Sequence, residues 1–280
     1  MNSLQDSQPV SDVTMTNHPT AANPVRWLGK ATLAILQEVG DLTLFGAQIA
    51  FASLTPRWYP TQIVRQMVAI GFYSLPVVGL SAVFIGAALA LNIYTGGSRY
   101  GAEQFVPNIV VLGITRELGV TITGLMLAGR VSAGIAAEIG AMRVTEQIDA
   151  LTTLSAKPSR YLYAPRFLAG LITLPLLVII ADIIGVLGGW AVSVFGLGFD
   201  STTYLRNTVD FVTTSDIAVG LIKAVVFGGV IALMGCFHGD RSTAGATGVG
   251  RAATFAMVGA AVLILAFNYL LSSLFVEIGL

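Results

Sequence analysis

Five stretches of this chain run for more than 20 residues with almost no charge: 67–94, 104–129, 167–194, 217–237 and 252–276. About 20 mostly apolar residues in a helix cross the hydrocarbon layer of a bilayer. No water is available there, so every backbone N–H and C=O has to be satisfied within the segment, and a helix does this. Five such segments therefore predict an all-α membrane protein with five transmembrane helices. Composition agrees, because 55% of residues are hydrophobic and 11% are charged, against about 25% charged in soluble domains. Pro76 falls inside the first segment and should kink it. Small residues spaced by four, as at Gly185 and Gly189, Ser132 and Ala136, and Ala133 and Ala137, favour close helix packing.

The flanking Lys and Arg residues set an orientation. With the N-terminus in the cytosol, the inner regions hold Arg26, Lys30, Arg57, Arg65, Arg130, Arg143, Lys157, Arg160, Arg166, Arg241 and Arg251, and the outer regions only Arg99 and Arg206. The expected topology is N-terminus cytosolic and C-terminus periplasmic. Asp200, Asp210 and Asp216 then fall in the second outer loop.

Residues 1–23 are polar and lack an apolar core of the kind a signal peptide carries, so a disordered cytosolic tail is expected. The remainder, 24–280, reads as one membrane domain without internal repeats. Its first part, 24–54, is helical in pattern but is not a span. At 100° per residue Lys30, Gln37, Asp41 and Gln48 share one stripe, with Leu28, Ile35, Val39, Leu42 and Ile49 opposite. Such a helix either lies in the headgroup region, anchored by Arg26 and Trp27, or packs on the rest of the protein.

The charges inside the spans are few. Arg116 and Glu117 are adjacent in the second segment, Asp182 stands alone in the third and Lys223 in the fourth. Ionisable groups at bilayer depth are costly and face a cavity or a polar partner. Arg116 and Glu117 project about 100° apart and need not pair with each other. Lys223 is the other full cation at that depth, so a contact between Glu117 and Lys223 neutralises both. The group either forms a polar rim for an amphiphile's headgroup or is a buried structural network. Asp182 is either protonated or hydrogen bonded.

The connection after the second span, EIGAMRVTEQIDAL over 138–151, reads as a short charged helix carrying Glu138, Arg143, Glu146 and Asp149. Arg143 faces Glu146 or Gln147 one turn on, and Lys157 and Pro158 end the helix. It is either a solvated connector or a docking element for a soluble partner. A zero net charge gives no bulk attraction to nucleic acid. His18 and His238 are far apart and Cys236 is the single cysteine, so neither a metal site nor an intrachain disulfide is expected. GVGRAA, at 248–253, matches G-x-G-x-x-A, but no strand precedes it, and it reads as a flexible lead-in to the fifth span. No G-x-x-x-x-G-K-[ST] occurs, so ATP hydrolysis on this chain is not expected, nor is any other cofactor.

The run RELGVTITGLMLAGRVSAGIAAEIGAMRVTEQIDAL, at 116–151, resembles the signature region of the MlaE/YrbE family. The likeness continues through SRYLYAPRFLAG at 159–170, LIKAVVFGG at 221–229 and GVGRAAT at 248–254. It covers nearly everything after the polar tail. The resemblance implies a non-catalytic, multi-pass permease subunit of a lipid ABC transporter in the bacterial inner membrane, with phospholipid the expected cargo. It implies a homodimer, a cytosolic ATPase subunit that holds ATP and Mg, and an MCE-domain periplasmic protein through which lipid passes between the inner and outer membranes. Arg116, Glu117 and Lys223 match polar residues near the lipid pocket of that family, and Tyr100 matches an aromatic that lines it. The segment 138–151, with Glu138, Arg143, Glu146 and Asp149, resembles the coupling helix that fits the ATPase. Helix 24–54 resembles the family's interfacial helix. Asn268 departs from relatives with an acidic residue in the last span. The alternative reading is a stand-alone secondary transporter in which Glu117 and Lys223 relay an ion.

Overall fold

The computed structural model describes residues 24–54, 59–243 and 245–279. The polar tail, with His18, and Arg57 lie outside the described residues. Among the described residues there are only helices and turns. Five helical spans are long and apolar enough to cross a membrane: Pro60–Tyr100, Glu103–Val144, Ser159–Leu197, Thr214–Asp240 and Ala246–Ile278. Each extends beyond the apolar stretch that identifies it. Loss of hydrophobicity marks the edge of the hydrocarbon layer, whereas the helix runs on until a backbone break or a cap.

Helix α1, Pro24–Leu54, crosses the boundary between two compact units that divide at Leu44 and Phe45. In the first unit Lys30 and Gln37 on the expected polar stripe and Val39 on the apolar one are all exposed. The side chains of Arg26, Trp27, Leu28 and Ile35 lie outside the description. In the second unit the end of α1 is tied down, with Ile49 buried and the Phe45 ring 5.4 Å from Tyr163 and 5.7 Å from Phe237.

The first span breaks where it meets its proline. α2, Pro60–Ile70, ends at Gly71, a single 3₁₀ turn follows, and α3, Leu75–Gly97, carries Pro76 in its first turn, where a missing N–H costs nothing. The second span is α4, Val106–Gly113, then a π-helical turn at Ile114–Leu118, α5, Gly119–Leu127, a second π-turn at Ala128–Ser132, and α6, Ala133–Val144. After α7, Gln147–Thr153, and a third π-turn at Ser159–Tyr163, α8 runs over Ala164–Leu197. α10, Thr214–Asp240, and α11, Ala246–Ile278, complete the bundle.

Between α8 and α10 the expected outer loop is instead an 11-residue helix, α9, Ser201–Phe211. Asp200 caps it by accepting hydrogen bonds from Thr203 N at 2.7 Å and Thr203 Oγ1 at 2.8 Å. Those bonds hold the Asp200 carboxyl below the usual carboxylate range. Tyr204 of α9 is buried with Ala90, Val106, Val110 and Ile114, so α9 is part of the packed body. GVGRAA is likewise helical rather than a flexible lead-in, because α11 begins at Ala246.

α3 and α8 make the closest helix approach that the small residues allow. A Cβ on Gly86 would lie 1.8 Å from the carbonyl oxygen of Gly185, so only glycine fits there. Ser132 and Ala136 also serve contact: both are buried, and Ser132 Oγ donates to Ala256 O at 3.1 Å.

Candidate functional site

Glu117 lies fourteen residues beyond the start of the second span at Glu103, about 20 Å along the axis at 1.5 Å per residue. The π-turn at Ile114–Leu118 surrounds it. A π-turn contains one residue more than an α-turn and so rotates the side chains that follow. It presents Glu117 to α10 and α11.

Lys223 of α10 is 0% exposed. Its ammonium has three N–H donors, and all three are used: Glu117 Oε1 at 2.7 Å, Arg116 O at 3.0 Å and Ser272 Oγ at 2.8 Å. Glu117 is an acceptor on both oxygens. Oε1 also faces the Ser272 hydroxyl at 2.8 Å, and Oε2 accepts from Asn268 Nδ2 at 3.0 Å. The single Ser272 proton goes either there or to Asn268 O at 2.8 Å. Asn268 is chemically apt beside a carboxylate, because its NH₂ donates, whereas a second carboxyl would have to hold a proton to do so.

The expected contact between Glu117 and Lys223 is thus present. The two ends of the pair differ in one respect. Lys223 is sealed in, while the Glu117 side chain is 43% exposed, so a carboxylate held by three donors opens on the outside of the chain at bilayer depth.

Arg116 turns away from this group. Its Nη1 lies 3.0 Å from Asp216 Oδ1. Asp216, expected in a loop, is the third residue of α10 and forms a reciprocal cap with Thr213, whose backbone N–H and hydroxyl donate to Asp216 Oδ2 at 3.0 and 2.6 Å. Thr213 and Asp216 fit the capping-box spacing, a signal that would have placed the helix start there. Tyr100 does not join the network; it ends a 3₁₀ turn after α3 and is 87% exposed. Asp182 abuts Gly119, where a Cβ would sit 1.8 Å from Asp182 Oδ1. Asp182 Oδ1 is buried without a hydrogen-bond partner among the described residues.

The segment 138–151 is a helical corner rather than one helix. α6 ends at Val144, and Glu146 takes a left-handed conformation, φ 60°, before α7 starts. The turn changes the pairing: Arg143 Nη1 meets Asp149 Oδ1 at 2.8 Å, not Glu146 or Gln147. Both partners are exposed. α7 stops at Thr153, four residues before Lys157. Pro158 stands instead immediately before the next helical turn. Glu138 sits before the corner and binds Arg166 Nη2 at 2.9 Å. Asn268, Ser272, Asp216 and Arg166 were not singled out by the charge pattern as members of these groups. Asn268 and Ser272 carry the one available signal, an i to i+4 polar pair on an apolar helix.

A family model described as Permease MlaE matches residues 63–274. A probable ABC transporter permease protein of Rickettsia felis is 50% identical over 251 residues, which cover 90% of this chain and 97% of that protein. The intermembrane phospholipid transport system permease protein MlaE of Haemophilus influenzae is 34% identical over 262 residues, 92% of this chain and 99% of that protein. TRIGALACTOSYLDIACYLGLYCEROL 1, a chloroplastic protein of Arabidopsis thaliana, is 30% identical over 237 residues, 85% and 68% of the two chains.

Proposed function

Since the chain belongs to the MlaE permease family, a multi-pass ABC-transporter permease of the bacterial inner membrane, we propose that it carries phospholipid between membranes. The cargo reading draws support from the name of the Haemophilus relative. The observation that carries it here is the half-exposed Glu117 carboxylate at bilayer depth, fixed by Lys223, Asn268 and Ser272. Acyl chains cannot cover an exposed carboxylate at low cost. A lipid headgroup, or a second copy that encloses one, can.

In this reading two copies enclose a pocket whose polar rim is Glu117 with Lys223 and Arg116 behind it, and Tyr100 lies toward its outer mouth. The helical corner with Arg143, Glu146 and Asp149 docks on a separate ATPase subunit, which holds ATP and Mg. Glu138 supports the corner through Arg166. Nucleotide then acts by binding two conformations of the complex unequally. The N-terminus faces the cytosol, helix α1 lies in the headgroup region, and an MCE-domain protein receives lipid on the periplasmic side. A chain of the ABC class draws on ATP, which disfavours the ion relay through Glu117 and Lys223.

Glu117→Leu in the purified complex tests the rim. Bound phospholipid, measured by mass spectrometry, should fall; unchanged lipid content overturns the assignment. Glu146→Lys or Asp149→Lys should remove the ATPase from the purified complex, and normal copurification with normal transport overturns the docking role. Transport in vesicles that needs an ion gradient and no ATP would return the ion-coupled reading.

A further inference from the structure

A second polar site lies toward the far end of the second span. α2 packs against α8, and α6 against α10 and α11. The faces that α2 and α6 turn toward each other therefore border open space. Two adjoining cavities of about 180 and 260 Å³ fill it, and Gln66 and Glu138 line both.

The outer cavity is lined by Arg65, Arg166 and Glu138. The inner one runs past Ile70, Gly134 and Ile135 to Arg130, which donates a hydrogen bond to Ser74 Oγ. Three arginines and one glutamate thus line the groove. Arg166 is 3% exposed; its Nη1 donates to Leu162 O at 2.8 Å and its Nη2 meets Glu138 at 2.9 Å. Its Nε is closed off from the cavity and has no acceptor among the described residues. Arg65 and Arg130, by contrast, are exposed side chains that line the two cavities, and an accessible guanidinium is a place for an anionic oxygen. Arg130 lies thirteen residues beyond Glu117, about 20 Å along the span, so this groove is separate from the Glu117 network.

We propose that the groove between α2 and α6 holds the phosphate of a net-anionic phospholipid. Arg65 offers its guanidinium to the phosphate oxygens, and an acyl chain follows Ile70 and Ile135. The inference rests on the reading of the chain as a lipid permease. It adds a headgroup site at the end that the Lys and Arg bias assigns to the cytosol, where basic side chains attract anionic lipid. Charge complementarity selects the ligand: the groove carries two more positive than negative groups, and the apolar Ala69, Ile70, Val131 and Ile135 that also line it suit an amphiphile better than a soluble anion.

Gly134 supplies the probe position, since a Cβ there meets nothing within 4 Å, and Cys236, buried, is shielded from label. The Gly134→Cys chain, in its purified complex, is labelled with a fluorophore and placed in nanodiscs containing brominated phosphatidylglycerol or brominated phosphatidylcholine. Phosphatidylglycerol should quench at about a fivefold lower mole fraction. Arg65→Gln, on an exposed side chain that leaves the fold intact, should bring the ratio close to one. Equal quenching by the two lipids overturns the proposal. Relief of quenching by millimolar inorganic phosphate moves the site to a soluble anion and overturns the lipid source. Shielding by the ATPase subunit without headgroup preference makes the groove a protein contact and also overturns it. The measurement is repeated in Glu117→Leu, so loss of the outer rim and loss of this site give different results.

Discussion

α10 and α11 are neighbours of similar composition, yet the bundle uses them differently. In the most apolar 18 residues of each, 61% are buried in α10 and 17% in α11. α10 is packed on its several sides, and its cation is therefore fixed. α11 leaves Val258, Val262, Leu265, Tyr269 and Leu274 exposed, yet supplies Asn268 and Ser272 to the same polar group. One helix anchors the charge and the other borders its open side. Hydropathy alone does not distinguish these roles, because lipid and protein interior are about equally apolar surroundings.

The largest test of this contrast is steric. A Cβ on Gly228 of α10 would lie 2.3 Å from Gly170 O, whereas one on Gly250 of α11 meets nothing within 4 Å. Gly228→Val should cost more than about 4 kcal/mol and prevent recovery of folded protein. Gly250→Val should leave the melting temperature within a few degrees.

Next comes charge. Lys223→Met leaves Glu117 without its cation and should cost about 3–5 kcal/mol by thermal unfolding, and Lys223→Met with Glu117→Leu should recover most of it. If the double variant regains stability but not bound lipid, the pair does more than hold helices together. Asn268→Leu on α11 removes one hydrogen bond to a carboxylate that can still meet solvent or lipid, and should cost about 1–2 kcal/mol. Its effect on bound lipid should exceed its effect on stability; the reverse would place α11 with α10. The smallest effect is at the exposed corner, where Arg143→Ala should change stability by less than about 1 kcal/mol.

A pH scan extends the comparison to α9. The lowered Asp200 carboxyl stabilises the helix fully above its unfolded value of about 3.9. That contribution disappears as pH falls through the lower folded value. Asp200→Asn keeps the cap and should abolish the acid-dependent part of α9 fraying, read by hydrogen exchange.

The five spans were legible in the sequence because crossing a bilayer depends on length and apolarity, whatever the neighbours. Glu117 and Lys223 were legible because two opposite charges at one depth have few other partners. Arg116 with Asp216 was not, since apolar content placed Asp216 outside the membrane while the Thr213 cap draws it into the first turn of α10. Nor was the part played by Asn268 and Ser272. Which residues face one another depends on azimuth, and the π-turns at Ile114–Leu118 and Ala128–Ser132 upset a count of 100° per residue. The left-handed Glu146 likewise replaces the expected i+3 and i+4 partners of Arg143 with Asp149.

Those two wide turns bracket the nine residues Gly119–Leu127. Each holds one surplus residue, which in a one-dimensional lattice is a dislocation. Helices bend at such a fault more readily than along a regular stretch. The second span is thus a shaft with two joints, one holding Glu117 and the other Arg130.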